Sequence, residues 1–486
     1  MMSSAYSIDG HHFIYEAPLT SALPIGAYVR IDTDQGPSYL GQILEQQVFQ
    51  GEPGADANSG TRHLGGSGIL LSRIEEDDPQ RTGTRDVFGS GEMIEAEPSV
   101  VSSHLEMSLG RRATLRLGSI ATSPEVPASL SAAGFGRHTF LCGQSGSGKT
   151  YTLGLILEQL LLETDIRIAV LDPNSDYVNL PSVRSQEETG LEPDEYDALV
   201  ARYEPIASRI QVFGGSGDGF SLKSRFGNLT LEQQSLILGI DPIADAEEYR
   251  AFVRVTGRIG TDDYTLEQIM AELRDSFGEE ERRLRLRIAN LGVDEFSIWA
   301  REGEDSIREQ LLADWRMVVF DLGSLPSDVE RSIAAASVLA TLWEERSERE
   351  PILIVVDEAH NVCPQSPLDA NQQLATEHAV KIAGEGRKYG KYLLLSTQRP
   401  SKIHQNVISQ CDNLVLMRMN SVADLETLKA TFSFAPGALV EQANGFGLGE
   451  GLAAGKIAPD AIRYRTGRRI TNEGGLDVPS TWAQRR

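Results

Sequence analysis

GQSGSGKT, from Gly143 to Thr150, is the stretch on which the reading of this chain turns. It fits the pattern GxxxxGK[ST] and stands after the apolar run RHTFLCG and before YTLGLILEQLLLE, which is helix-like. A strand, a glycine loop and a helix in that order are the setting a phosphate cradle needs. Gly143, Gly146 and Gly148 carry no side chains to obstruct the backbone, so N–H groups can wrap phosphates, and the N-terminal end of the next helix adds its partial positive charge. Lys149 is expected to bridge β- and γ-phosphates, and the Thr150 hydroxyl to ligate Mg²⁺. Gln144, Ser145, Ser147 and Tyr151 complete the expected nucleotide-binding stretch, whose ligands are ATP and Mg²⁺.

The second half of such a site is an acid at the tip of a buried strand, and PILIVVDEAH supplies it. Asp357 is placed to hold Mg²⁺ through its water shell, and Glu358 to orient and polarise the attacking water. Two adjacent carboxylates closing an apolar run make poor core, because they would be desolvated without partners. Asp172, closing IAVLD, reads either as another acid at the same sheet edge or as a helix cap or turn residue, since parallel strands release their C-terminal ends into one crevice. LLLSTQRP ends in Gln398, at a strand tip suited to sensing a γ-phosphate, and GEGRKYG just before that strand offers Arg387 and Lys388. Taken alone, Arg387 is only a solvated charge.

Around these motifs RMVVFDLG, PILIVVDEAH, KYLLLSTQ and NLVLMRM are four short apolar runs, with helical patterns such as VERSIAAASVLATLWEERSE between most of them. Alternating apolar strands and helices predict an α/β fold with a mostly parallel sheet covered on both faces. This core is expected in residues 121–183 and 315–455. Residues 184–314 read as a helical insertion, as in LEQQSLILGI and TLEQIMAELRDSF, without a comparable strand signal. Upstream, Ile25 to Phe49 gives two alternating runs split by a DQGP turn, and GILLSRIEE, VVSSHLEMSL and ATLRLGSI add further short runs. Short strands at close spacing predict a small β-barrel in residues 1–120. Residues 456–486 form a basic tail with Lys456, Arg463, Arg465, Arg468, Arg469, Arg485 and Arg486.

The chain has 486 residues, enough for two or three domains, and its 40% hydrophobic and 24% charged residues are ordinary for a soluble globular protein. The N-terminus lacks the basic start and apolar run of a secretory signal, and no apolar stretch approaches a membrane span, so the expected setting is cytoplasmic, without membrane contact. Cys142, Cys363 and Cys411 show no CxxC spacing, which argues against a disulfide framework or a thiolate metal site. The net charge of −25 places any contact with DNA on local basic sites, for which Lys402 and the ERRLRLR run from Glu281 to Arg287 are candidates. An amphipathic solvated helix explains that run equally well.

Together GQSGSGKT, LDPNSDY, VVDEAHNVCP, GEGRKYGKYLLLSTQRPSKIHQNVISQC and the N-terminal barrel pattern resemble the HerA family, within the HerA–FtsK group of hexameric translocases. The glycine loop is shared by countless NTPases; the EGRKYG-to-STQRPS block is far more discriminating. The resemblance implies a RecA-like core with a HAS-barrel-like N-terminal domain, and an ATPase acting as a hexameric DNA translocase or helicase with DNA in its central channel. It further implies that Arg387 is an arginine finger given in trans to the neighbouring subunit's ATP. Gln398 would be the γ-phosphate sensor and Arg137 a second arginine near the nucleotide. It also implies a barrel that docks a partner and a tail that braces the adjacent subunit. LDPNSDY departs from the histidine-glycine-glutamate form usual at that loop, which leaves the roles of Asp172 and Asp176 open. Family members often work with a nuclease or a sirtuin-like effector, in DNA end processing or anti-phage defence, and the chain holds no nuclease cluster of its own beyond the ATPase acids. Two other readings stay open from the sequence: a conjugation- or secretion-type coupling ATPase, and a nucleotide-dependent scaffold that activates an attached effector without translocation.

Overall fold

The computed structural model describes residues 3–34, 36–50, 62–75, 78–80, 87–214, 220–261 and 263–475. The last part of the expected basic tail, 476–486, lies outside them. The chain divides into two compact units: Met1–Phe135, Leu141–Thr164 and Asp412–Arg468 form the first, and Gly136–Phe140, Asp165–Cys411 and Arg469–Arg486 the second.

In the first unit, HFIYEAP and YVRIDT alternate apolar and polar residues, so one face of each strand is buried and the other faces water. The strands are β1 (Ser4–Ser7), β2 (His12–Pro18), β3 (Tyr28–Thr33), β4 (Ser38–Gln50), β5 (Arg62–Glu75), the three-residue β6 (Asp78–Gln80) and β7 (Gly91–Glu95). Their order is β2-β1-β7-β3-β4-β5, and β2 pairs back onto β5, from His12 opposite Ile69 to Pro18 opposite His63, which closes a six-stranded barrel. Phe13, Tyr15, Ala17, Val29, Ile31, Tyr39 and Ile43 fill it. Close approach at the β4–β5 seam requires glycine: a Cβ on Gly66 would lie 1.9 Å from the Glu45 carbonyl oxygen.

Two segments that the sequence groups with the barrel fold otherwise. VVSSHLEMSL is not a strand but most of a helix, Pro98–Leu109, with Pro98 in its first turn and Gly110 at φ 69 just past its end. Its buried residues, Val100, Val101, His104 and Leu105, recur at helical spacing, which the apolar content of the run concealed. ATLRLGSI does form a strand, β8 (Thr114–Ile120), but it pairs with β9 (Ser123–Ser131) and with a strand near the C-terminus. Alternation marks a half-buried strand without saying which sheet receives it, and a closed barrel has no edge left to offer.

The remaining strands are β10 (His138–Cys142), β11 (Arg167–Asp172), β12 (Ile210–Gly214), β13 (Phe220–Ser221), β14 (Met317–Asp321), β15 (Ile352–Val356), β16 (Lys391–Thr397), β17 (Cys411–Met417), β18 (Glu450–Gly455) and β19 (Ile462–Thr466). In the first unit β17, β18, β19, β8 and β9 follow one another as an antiparallel run. In the second unit the order is β13-β12-β14-β11-β15-β16, parallel at every pairing, the parallel sheet of an α/β fold that the alternating runs predict. Every residue of β15 is buried, as are Ile168 to Asp172 of β11, so these strands read as continuous apolar runs rather than alternating ones. Strand β12 lies within the stretch 184–314 expected to be helical. Only Ile210 and Phe213 of IQVFG are buried, too few for the strand to stand out from sequence. The rest of that stretch contains seven α-helices among the described residues, with capping boxes at Ser185, Thr230, Thr265 and Ser306. No helix among the described residues is long and apolar enough to cross a membrane.

Gly66→Ala is expected to strain the barrel seam by about 1–3 kcal/mol or more, the usual scale of overpacking. Thermal unfolding followed by tryptic digestion of the barrel should show earlier cleavage than in wild type; an unchanged profile would contradict the close approach assigned to Gly66.

Candidate functional site

The glycine loop lies in the first unit. Gly146 (φ 69) and Gly148 (φ 91) adopt left-handed backbone, and the helix Lys149–Glu163 begins immediately after Gly148. A Cβ on Gly143 would lie 2.8 Å from Met417 Cβ and 2.8 Å from Ser147 Oγ, so the loop's turn depends on glycine there. The segment after β17 and the turn before β18 hold the loop in place. Gln144 N–H donates to Arg418 O (2.9 Å) and Gly449 N–H to Ser147 O (3.0 Å). Arg418 Nη2 donates to Gly146 O (2.8 Å), and Asn420 N–H to Gln144 Oε1 (3.1 Å). Thr152, one turn into the helix, shares a hydrogen bond with Thr466 on β19 (2.9 Å). Lys149 is 5% exposed and Thr150 half-buried, while Ser147 Oγ is buried without a hydrogen-bond partner. Backbone that a side chain would obstruct, a lysine and a hydroxyl at the start of a helix, and an unsatisfied buried hydroxyl together fit a triphosphate with its magnesium. Gln144, Ser145 and Tyr151 flank this cradle, with Ser145 exposed.

The acids lie in the second unit. Asp172 ends β11 directly opposite Asp321, the last residue of β14, and Asp357 N–H donates to Leu171 O (3.1 Å), so three aspartates leave the sheet at one edge. Asp172 is fully buried and accepts from the backbone N–H groups of Tyr177 (2.8 Å), Asp176 (3.0 Å) and Asn174 (3.3 Å). Burial is the largest influence on its carboxyl, opposed by the bonds from Tyr177 and Asp176 and reinforced by the nearby carboxylates of Asp357 and Asp176. The balance pushes its pKa up to about 7. Asp172 therefore organises the turn of LDPNSDY as well as standing among the acids. Glu358 follows with φ 41, ψ 48, left-handed for a non-glycine residue. Its Oε1 accepts from Gln398 Nε2 (2.8 Å), and its Oε2 lies 3.2 Å from His360 Nδ1. The neighbouring tips of β15 and β16 thus bring Glu358 and Gln398 together.

The arginines lie elsewhere. Arg387 precedes β16 and Gln398 follows it, so the seven residues of that strand, about 20 Å at ~3.3 Å per residue, separate them. Arg137 immediately precedes β10, and the ring of His138 accepts through Nδ1 from Leu393 N–H of β16 (2.9 Å), which puts Arg137 at the same end of the sheet as Arg387. Neither arginine stands near the acids of its own unit. Of the tail, Arg469–Gly475 packs within the second unit on the loop that follows Asp172. Asn472 N–H donates to Ser182 O (3.0 Å) and Gly474 N–H to Asp176 O (2.9 Å), Arg184 pairs with Glu473 at 3.0 Å, and Arg469 is 1% exposed. The ERRLRLR run is a helix whose charges meet acids: Arg287 lies 2.9 Å from Asp245, Arg283 3.4 Å from Glu247 and Arg282 3.6 Å from Glu279. It therefore reads as a paired helix face, while Lys402 is exposed. Sequence reasoning passed over Arg418, Gly449 and Asp321, which lack a motif of their own, and His360, whose only signal was its place two residues after Glu358.

Residues 115–341 match the family model for the central domain of the helicase HerA. The chain is 24% identical over 369 residues to a DNA double-strand break repair helicase HerA of Sulfurisphaera tokodaii, covering 71% of this chain and 67% of that one. It is 22% identical over 391 residues to the protein of the same name from Pyrococcus furiosus, covering 70% and 67%. Among solved structures, VirB4 of Thermoanaerobacter pseudethanolicus aligns over 74% of this chain and 97% of that one, with 17% identity and a TM-score of 0.49.

A carboxyl whose folded pKa stands above its ordinary value binds its proton more tightly in the folded state, so the stability it contributes falls as pH rises from about 4 to about 7. Asp172→Asn removes that dependence. Denaturant midpoints of the variant, relative to wild type, are expected to rise across this window, and a constant difference would refute the assignment.

Proposed function

The chain being a member of the HerA family, and with it an ATP-hydrolysing DNA helicase or translocase, we propose that it works as a hexameric ring on duplex DNA in which each subunit's Arg387 completes the ATP site of its neighbour. The observation that carries this reading is the strand length between Arg387 and Gln398. A cation that stabilises charge on the transferring phosphoryl group must reach it, and Arg387 stands a full strand away from the acids of its own unit. A second copy of the chain supplies what the first lacks. Arg137, at the same end of the sheet, is assigned to the same junction.

Lys149 neutralises the β- and γ-phosphates, and Thr150 and Asp357 are the residues that would hold Mg²⁺, which would supply Lewis-acid stabilisation of phosphate charge. Glu358 orients the attacking water and accepts its proton, and Gln398 senses the γ-phosphate. The DNA lies in the central channel. With a net charge of −25 its contacts fall to local groups such as Lys402. The barrel is the docking site for an effector, a nuclease or a sirtuin-like enzyme, in keeping with the family resemblance and with no metal-holding cluster of a nuclease among the described residues. DNA end processing and anti-phage defence are both consistent with that assembly.

Lys149→Ala is expected to abolish productive ATP binding, and Glu358→Gln to bind ATP normally while lowering turnover by roughly 10²–10⁴, the scale of a lost general base. Normal hydrolysis by either variant would remove its assigned role. Turnover by wild type should rise with added duplex DNA; indifference to DNA would favour the assembly scaffold instead. Mixing Arg387→Ala subunits with Lys149→Ala subunits should restore part of the activity that each lacks alone, since some mixed junctions then hold one intact site.

A further inference from the structure

Glu358 is 5% exposed, and its two carboxylate oxygens are held by different partners. Oε1 accepts from the Gln398 side-chain amide at 2.8 Å; Oε2 lies 3.2 Å from His360 Nδ1 and 3.4 Å from the Gln398 backbone nitrogen. The last of these is long for an N–H···O bond and correspondingly weak. We infer that His360 is a positioning residue for Glu358, the support that stays in place when the side chain of Gln398 moves toward a nucleotide. This rests on the reading of Glu358 as the group that activates water.

Gln398 is half-buried, and any shift of its side-chain amide toward a γ-phosphate lengthens its bond to Glu358. The imidazole of His360 has no such second task. It sits in the one-turn helix Ala359–Asn361 that follows Glu358 directly, with its side chain 16% exposed. Its Nδ1 is also 3.0 Å from the hydroxyl oxygen of Thr397, the buried last residue of β16, and that oxygen accepts from Arg399 N–H at 3.0 Å. The ring is thereby tied to the sheet rather than to the sensor. Its Nδ1 shares a hydrogen bond with Thr397 Oγ1 and stands 3.2 Å from Glu358 Oε2, so the ring faces the carboxylate from a fixed position. The left-handed backbone of Glu358 adds to the need for such a tether, because a residue in that conformation is held there by its surroundings.

The test uses the assembled protein with ATP, ATPγS and three substitutions. His360→Ala is expected to lower kcat roughly 10- to 100-fold, part of what a positioned base supplies, with KM for ATP and Kd for ATPγS within about threefold of wild type. In nucleotide-free protein the same variant should speed amide hydrogen exchange in the peptide that carries residues 357–361. His360→Asn, whose amide nitrogen can take the place of Nδ1, should recover most of both properties. In a Glu358→Gln background, His360→Ala should cost nothing further. A wild-type kcat for His360→Ala beside an inactive Glu358→Gln overturns the inference and leaves the role of Glu358 standing. Active Glu358→Gln overturns the reading beneath it. Loss of ATPγS binding in His360→Ala, or an equal loss of kcat in the Asn variant, also overturns the inference, since His360 would then serve the fold or the nucleotide rather than the carboxylate.

Discussion

Strands β11, β14, β15 and β16 run parallel and in register, and burial along their length leaves polar groups only their ends to occupy. A carboxylate within such a strand would lose its hydration without compensation, whereas at the C-terminal edge it can meet backbone N–H groups, hydroxyls and amides. Asp172, Asp321, Glu358 and Gln398 each find such a partner there. Asp172 takes three backbone donors, Asp321 accepts from Ser175 Oγ at 2.7 Å, and Glu358 is bonded by Gln398. The edge thus concentrates acids, and burial there, reinforced by the neighbouring carboxylates, raises the pKa of Asp172.

The same constraint divides labour between the two ends of the sheet. Glu358 and Gln398 gather after β15 and β16, while Arg387 and Arg137 precede β16 and β10. Within the tail, Arg469–Gly475 clamps the loop after Asp172 in its own unit, with the buried Arg469 donating to Asn472 O at 2.7 Å. The acidity of the chain is likewise structured: arginines of the insertion are matched to neighbouring acids, so its basic run forms a neutralised helix face.

Sequence carried the local chemistry. GQSGSGKT declares a phosphate loop because few other uses explain three glycines, a lysine and a hydroxyl between a strand and a helix, and DEAH after five apolar residues declares an acid pair because no core would take it. For Arg387 the residues alone showed only a charge before a strand, and a trans role came from the family resemblance, since one arginine looks like another along the chain. The places where sequence misled share one cause. VVSSHLEMSL and IQVFG are short segments whose apolar content does not separate helix from edge strand, and ATLRLGSI shows a strand without naming its sheet.

What the sequence determined by itself was therefore the parallel core, the phosphate loop and the acid pair, because each depends on residues adjacent along the chain. Only the tertiary structure decided that Asp172 is buried among three backbone donors, that Gln398 bonds Glu358 while His360 stands 3.2 Å from its Oε2, and that Arg418 and Gly449 fasten the loop. Those partners stand from two to more than three hundred positions apart, and the distant ones are joined only by strand register, which side-chain pattern does not encode.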